Sequence, residues 1–170
     1  MPRSLADGHT KVIILTTKPA NPAAPTAAEL LAGTDASCNI MASDFAFGAT
    51  DSDKVAEKAL CVINNANALG ASNYTAGMTV FRYWDAATKA ADATADVVFD
   101  ATREKGTTLW VYARETAKLA TEAIAAGDEI YLGAEVLTDT PQTPSERGGF
   151  IKRRVPMEVQ AAYDDIVVAA

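Results

Sequence analysis

The sequence predicts a mainly β domain of the α+β class: antiparallel strands, one or two short helices, a long polar loop and a proline-rich arm. Three observations point there. Segments such as residues 78–84 (MTVFRYW) and 107–114 (TTLWVYAR) alternate with period two and place large residues on both faces. Residues 94–115 read as a short amphipathic helix, a single glycine and then a strand. Between the strands lie a run of prolines and a patternless stretch rich in Ala, Asn, Ser, Asp and Gly. At 170 residues the chain is expected to form one domain, 1–170, with no need of a metal or disulfide staple, since a chain of this length buries roughly 70 % of its unfolded surface.

In chain order, residues 11–17 (KVIILTT) are β-branched and continuous, as suits a strand covered on both faces. Residues 18–35 form a Pro-rich arm. Pro19, Pro22 and Pro25 forbid a ladder, Thr26 and Glu29 have capping-box spacing, and Gly33 stops a helix of barely two turns. A second strand is expected at 37–41, with Cys38 and Ile40 on one side and Phe45 and Phe47 extending the pattern. Residues 48–77 form a long inter-strand loop of the kind that is functional or ordered by a partner. The strand at 78–84 is the natural partner for 107–114.

The helix is expected at 94–105, with Thr94 as N-cap, Asp96 in the first turn, and Asp100, Arg103, Glu104 and Lys105 exposed. Gly106 follows where a positive φ is needed. In the next strand Leu109, Val111 and Ala113 oppose Trp110, Tyr112 and Arg114, so both faces should meet protein, because a wet face rarely holds a Trp and a Tyr. Residues 129–138 and 150–160 form an antiparallel pair, and Pro156 demotes the second to an edge or a bulge. Residues 160–170 form a C-terminal tail with a strand-like patch that includes Tyr163, Ile166 and Val167.

The chemical inventory is thin. A net charge of −7 argues against a phosphate-gripping surface. No apolar run approaches the roughly 20 residues of a membrane span, and no signal-peptide pattern opens the chain, so a soluble product made in the cytoplasm is expected. Cys38 and Cys61 read as buried small hydrophobes. His9 reads as a turn residue, so a serine triad or a transition-metal site lacks its usual donors. Asp51 and Asp53 resemble the start of a calcium loop, but Lys54 and Val55 break the ligand alternation. No glycine-rich phosphate cradle is present. Lys152, Arg153 and Arg154 read as a solvated or intersubunit salt-bridging stretch. The expected catalytic, cofactor and metal sets are empty, which suits an assembling structural subunit that hides faces and edges against other copies.

Three segments, ADGHTKVIILTTKPANPAAPTAAEL, EKGTTLWVYARE and GDEIYLGAEVLTDTPQTPSERGGFIKRRVP, resemble in order and spacing the major tail tube proteins of long-tailed, siphovirus-type bacteriophages, particularly those infecting actinobacteria. The resemblance implies a β-sandwich or half-barrel with one flanking helix and extended terminal arms. Six copies would close into rings whose inner sheets form a continuous barrel, and rings would stack into a hollow tube through which DNA passes. It implies a virion location, assembly in the host cytoplasm, a tape measure protein in the lumen, and terminator and distal tail proteins at the ends. No membrane is involved. The long loop would reach the neighbouring ring through Gly48, Asp51, Asp53, Lys54, Glu57, Asn64 and Asn73. Packing would rest on Trp84, Trp110 and Tyr112, with Trp110 and Tyr112 opposing the covering helix or a neighbouring copy, and the tail would add Tyr163, Ile166 and Val167. Two other readings stay open: a different virion module, such as a capsid decoration or adhesin-type subunit, and a small-molecule-binding β-barrel or a hydrolase built from Asp, Glu and Tyr.

Overall fold

The computed structural model describes residues 5–63, 67–145 and 147–170. Among the described residues, nine strands and two α-helices follow in the order β1 (Thr10–Leu15), α1 (Ala27–Leu31), β2 (Thr34–Asp35), β3 (Ala46–Thr50), β4 (Lys54–Val55), β5 (Ala68–Leu69), β6 (Asn73–Phe81), α2 (Val97–Thr102), β7 (Thr108–Glu115), β8 (Glu129–Thr138) and β9 (Lys152–Val167). Seven strands build one open antiparallel sheet in the order β2-β1-β7-β8-β9-β6-β3, while β4 and β5 pair separately as a short ribbon. The mainly β fold class expected from the sequence is the one observed, and its open sheet is consistent with a β-sandwich or half-barrel.

One face of the sheet is covered along its width, and the other is covered by the chain itself over β1, β7 and the adjoining ends of β8 and β9. On one face Val12, Ile14, Met78, Val80, Leu109, Val111, Val136 and Val155 pack with Val98 of α2. On the other, Ile13, Leu15, Tyr112, Ile130 and Ile166 pack with Leu30 of α1, Ile124 and Val168. Each fully buried aliphatic side chain contributes about 1.5–3 kcal/mol relative to exposure, so the two faces supply two cores. This is why β1 is apolar at every position from Val12 to Leu15 instead of alternating.

β9 holds the sheet together. Its first part pairs with β6 (Phe81 opposite Lys152 through Ala76 opposite Met157), and its later part pairs with β8. A register shift at Glu135/Val136 leaves Gln160 without a partner and bends the strand. Pro156 sits inside this central strand, not at an edge. Its carbonyl accepts from the Asp139 amide, just past the end of β8. N and C=O of one strand residue point the same way, so the missing N–H costs only the reciprocal bond to Asp139, at the last rung beyond the end of β8.

Several sequence expectations are corrected. Strand 78–84 does not partner 107–114: β6 lies between β9 and β3, and β7 lies between β1 and β8. Alternation identifies a strand, whereas its neighbour is set by long-range packing. Residues 37–41 are a turn. The Asp35 carboxylate accepts from the Ser37 amide and hydroxyl, and only Ile40 bridges, to Val80. Cys38, on that turn, and Cys61 are both exposed.

The ends of the expected loop 48–77 are strand, since Gly48 faces Thr75 and Thr50 faces Asn73 in the β3–β6 ladder. The helix occupies only Val97–Thr102, because the Asp92 carboxylate accepts from the Thr94 and Ala95 amides and holds them in the preceding turn, leaving Asp96 at the N-cap position. Residues 160–167, expected as a tail, continue β9, and Ala169 then bonds to Pro25 and Ala27 of the arm.

Candidate assembly surfaces

The connection between β3 and β6 is built as a projecting hairpin. Asn73 Nδ2 donates to the Asp51 carbonyl at 3.1 Å and to Asp53 Oδ1 at 2.9 Å, and Asp53 exchanges backbone bonds with Gly70 and Ala71. Lys54 then faces Leu69, and Val55 faces Ala68. The ribbon and the loop beyond it expose Val55, Leu60, Val62, Ile63 and Leu69, with Leu60 and Ile63 essentially fully in solvent. Large apolar side chains grouped in this way mark an interaction site. Of the residues expected on this loop, Gly48 lies in β3, Asn73 opens β6, Asp51, Asp53, Lys54 and Glu57 lie on the hairpin, and Asn64 falls outside the described residues.

A second exposed patch lies at the start of β9. The segment after β8 folds back along β9 through paired backbone bonds between Gln142 and Arg154. Phe150 is 80 % exposed and meets Phe81 edge to face at 5.9 Å, beside exposed Ile151. Arg147, Lys152 and Arg153 surround them. Arg154 does not join this group, since its guanidinium donates to Asp44 at 2.8 Å.

The three expected packing aromatics divide. Tyr112 is buried and Trp110 half-buried in the second core, under α1 and the arm. The Tyr112 hydroxyl donates to the Pro22 carbonyl at 3.0 Å, and burial pushes its pKa up. The covering element is thus the chain's own arm. Trp84 is elsewhere, half-exposed, with the Arg82 guanidinium 4.9 Å from its ring centroid. In the C-terminal part of β9, Ile166 is buried, Tyr163 packs against the same core and Val167 is exposed. Tyr163 and Ile166 reach the same core although period two would separate them, and Asp165 between them has a left-handed φ of 49°.

Sequence reasoning missed the polar clamp above β7. Arg114 is fully buried and donates to Asp128 at 3.0 Å and to the carbonyls of Leu119 and Ala123 at 2.7 and 3.2 Å. Lys118 also donates to Asp128. Lys11 donates to Asp35 and to the Ala120 carbonyl, and His9 Nδ1 lies 3.1 Å from the carbonyls of Thr116 and Lys118. These groups fasten the 116–128 connection over the sheet, and the available signal was a lone arginine among apolar residues. Near the opposite end of that connection, burial pushes the Tyr131 hydroxyl up to about 12, with nearby Glu115 adding to the effect.

Among the described residues no group of three or more His, Cys, Asp or Glu side chains could hold a metal ion. Among the described residues the sheet does not close on itself, and its larger core is filled with side chains. The surfaces that remain are suited to protein contacts. The family model described as phage tail tube protein matches residues 1–170.

The chain belongs to the phage tail tube protein family.

Comparison with curated proteins and with solved structures gives no match. A tail tube protein is a structural component of the virion tail that assembles with copies of itself into a tube, alongside other tail components. In this tail tube protein β3 is an edge strand with one open side, and among the described residues no helix is long and apolar enough to cross a membrane. The resemblance read from three sequence segments and the family match agree at this level.

Proposed function

We propose that this chain is the major tail tube subunit of a long-tailed, siphovirus-type phage, of the kind that infects actinobacteria, and that the whole chain works as one tail tube domain. Six copies close into a ring, rings stack into a hollow tube, and the tube delivers DNA to the host. The observation that carries this reading is the braced hairpin that holds five large apolar side chains in solvent. Leaving Leu60 and Ile63 exposed forfeits about 1.5–3 kcal/mol of burial each, and the half-exposed Val55 and Val62 less, which a second copy recovers on stacking.

Gly48, Asp51, Asp53, Lys54, Glu57, Asn64 and Asn73 belong to this inter-ring element. Trp84, Trp110 and Tyr112 support packing, and Tyr163, Ile166 and Val167 support the end of β9. The net charge of −7 favours a lumen that repels DNA and lets it slide. The tape measure protein fills that lumen before ejection, the terminator and distal tail proteins close the ends, and assembly takes place in the bacterial cytoplasm.

The test uses the β3–β6 register. Because Thr50 faces Asn73 directly, residues 51–72 can be replaced by Asn-Gly, which closes a two-residue hairpin. Electron microscopy of the intact protein is expected to show six-fold rings and tubes, and the shortened protein should retain its fold and form rings without tubes. A stable, well-folded monomer of the intact chain at high concentration would sink the reading.

A further inference from the structure

We propose that the loop of one copy, through Leu60 and Ile63, seats on the basic aromatic patch of a second copy formed by Arg147, Phe150, Ile151, Lys152 and Arg153. This rests on the reading above that the hairpin joins stacked copies, and it names the surface that receives it.

The two features begin at different levels of one sheet. Asn73, at the base of the hairpin, sits alongside the stretch from Glu158 to Ala162 on β9, whereas the patch begins at Lys152. Continuing the β6–β9 register by three residues from Ala76 and Met157 sets Asn73 level with Gln160. Eight strand residues then separate the two, roughly 25 Å at 3.3 Å per residue. β3 runs from Ala46 to Thr50 away from the Phe81 end of β6, so the hairpin leads away from its own chain's patch. One surface of a copy therefore meets a different surface of the next. Such a head-to-tail contact repeats without closing on itself, as stacking along an axis requires.

The chemistry of the two surfaces matches. The hairpin offers aliphatic side chains in solvent, and the patch offers Phe150, held by its edge-to-face contact with Phe81, and Ile151. Apolar groups inside a charged rim are the usual anatomy of a protein interface. Among the described residues, Arg147, Lys152 and Arg153 form no salt bridge with a carboxylate. Lys152 Nζ and Arg153 Nη1 instead donate to the carbonyls of Gly148 and Lys152, at 3.3 and 2.9 Å. The hairpin brings Asp51 and Glu57 as acidic partners for this rim, while Asp53 stays with Asn73, and Lys54 and Lys58 alternate with the acids.

The experiment compares three full-length proteins with the Asn-Gly hairpin variant, reading the ratio of rings to tubes by sedimentation and electron microscopy. Phe150→Asp with Ile151→Asp should keep the thermal midpoint, because both side chains are exposed, and lower the tube fraction by about tenfold or more. Lys152→Glu with Arg153→Glu should do the same, and adding Asp51→Lys and Glu57→Lys to that chain, which leaves the Asp53–Asn73 brace intact, should restore tubes. If the Asp pair at 150 and 151 forms tubes normally while the Asn-Gly variant does not, the receiving surface is elsewhere and this proposal falls while the stacking role of the hairpin stands. If the Asn-Gly variant itself forms tubes, the stacking role fails first.

Discussion

The ring of Tyr112 occupies the space in which a side chain on Gly133 would begin. The two residues face each other across β7 and β8, and a Cβ built on Gly133 would lie 2.5 Å from Tyr112 Cε1 and 2.7 Å from Ile166 Cδ1. Three strands thus interlock around a missing side chain, and the Tyr112 hydroxyl carries the contact outward to the arm at Pro22. Gly133→Ala is expected to destabilise the protein by about 1–3 kcal/mol through overpacking. Combining it with Tyr112→Leu should cost less than the sum of the two changes, which a double-mutant cycle in urea would measure.

The Arg114–Asp128 pair gives the fold an acid sensitivity of definite sign. Burial pushes the Asp128 carboxyl up, but hydrogen bonds from Lys118, the Ala125 amide and Arg114, together with the charge of Lys118, outweigh this and hold it below 3.8. A carboxylate whose folded pKa is depressed stabilises the fold above its unfolded value, and that contribution is lost as the pH falls through the folded value. Asp128→Asn should cost about 3–5 kcal/mol at pH 7, because it leaves buried Arg114 uncompensated. The difference from the native protein should narrow below pH 3.8 as Asp128 itself protonates, which urea midpoints measured against pH would reveal.

Arg82 fastens α2 to the sheet through shape as well as charge. Its Nε and Nη2 donate to the Asp96 carboxylate at 3.0 and 2.8 Å, and its guanidinium carbon lies 3.8 Å from the Phe99 ring centroid. A lysine supplies the charge but neither the fork nor the flat face. Arg82→Lys should therefore lose about 1–3 kcal/mol, nearly as much as Arg82→Met. Tryptophan fluorescence should shift in both, because the guanidinium also covers Trp84.

Both cysteines are available to solvent. Native protein is expected to release two equivalents of thionitrobenzoate from Ellman's reagent without denaturant, one from Cys38 and one from Cys61. Replacing either by serine should change stability by less than about 0.5 kcal/mol, as for other exposed positions. Slow labelling limited by unfolding would contradict the exposed positions.

Local physics wrote several features legibly into the sequence. Thr26 and Glu29 form the capping box that their spacing predicts, with the Thr26 hydroxyl accepting from the Glu29 amide and the Glu29 carboxylate accepting from the Thr26 amide. Gly106 has its positive φ of 85°. The alternation of Leu109, Val111 and Ala113 against Trp110 and Tyr112 does divide β7 between two covered faces. Each of these depends on residues within a turn or on a period along one strand, which a sequence displays directly.

The candidate assembly surfaces were less legible. The hairpin was visible as a stretch without pattern, but its ladder base, from Thr50 and Asn73 to Val55 and Ala68, joins residues too far apart for any period to link them. Phe150 and Ile151 read as the start of a strand, and only the return of the preceding segment along β9 left them in solvent.

The sequence by itself determined the β class, the strands β1, β7 and β8, the capped helix of the arm, and a resemblance that the family match bears out at the level of a tail tube protein. Tertiary structure alone decided which strands are neighbours, that Gly133 is required by the ring of Tyr112, and that Arg114 and Asp128 form a buried pair. It also joined the last residues to Pro25. The physical reason is that propensity and periodicity act over a few residues, whereas pairing, burial and electrostatic compensation are settled between segments that meet only once the whole chain has packed.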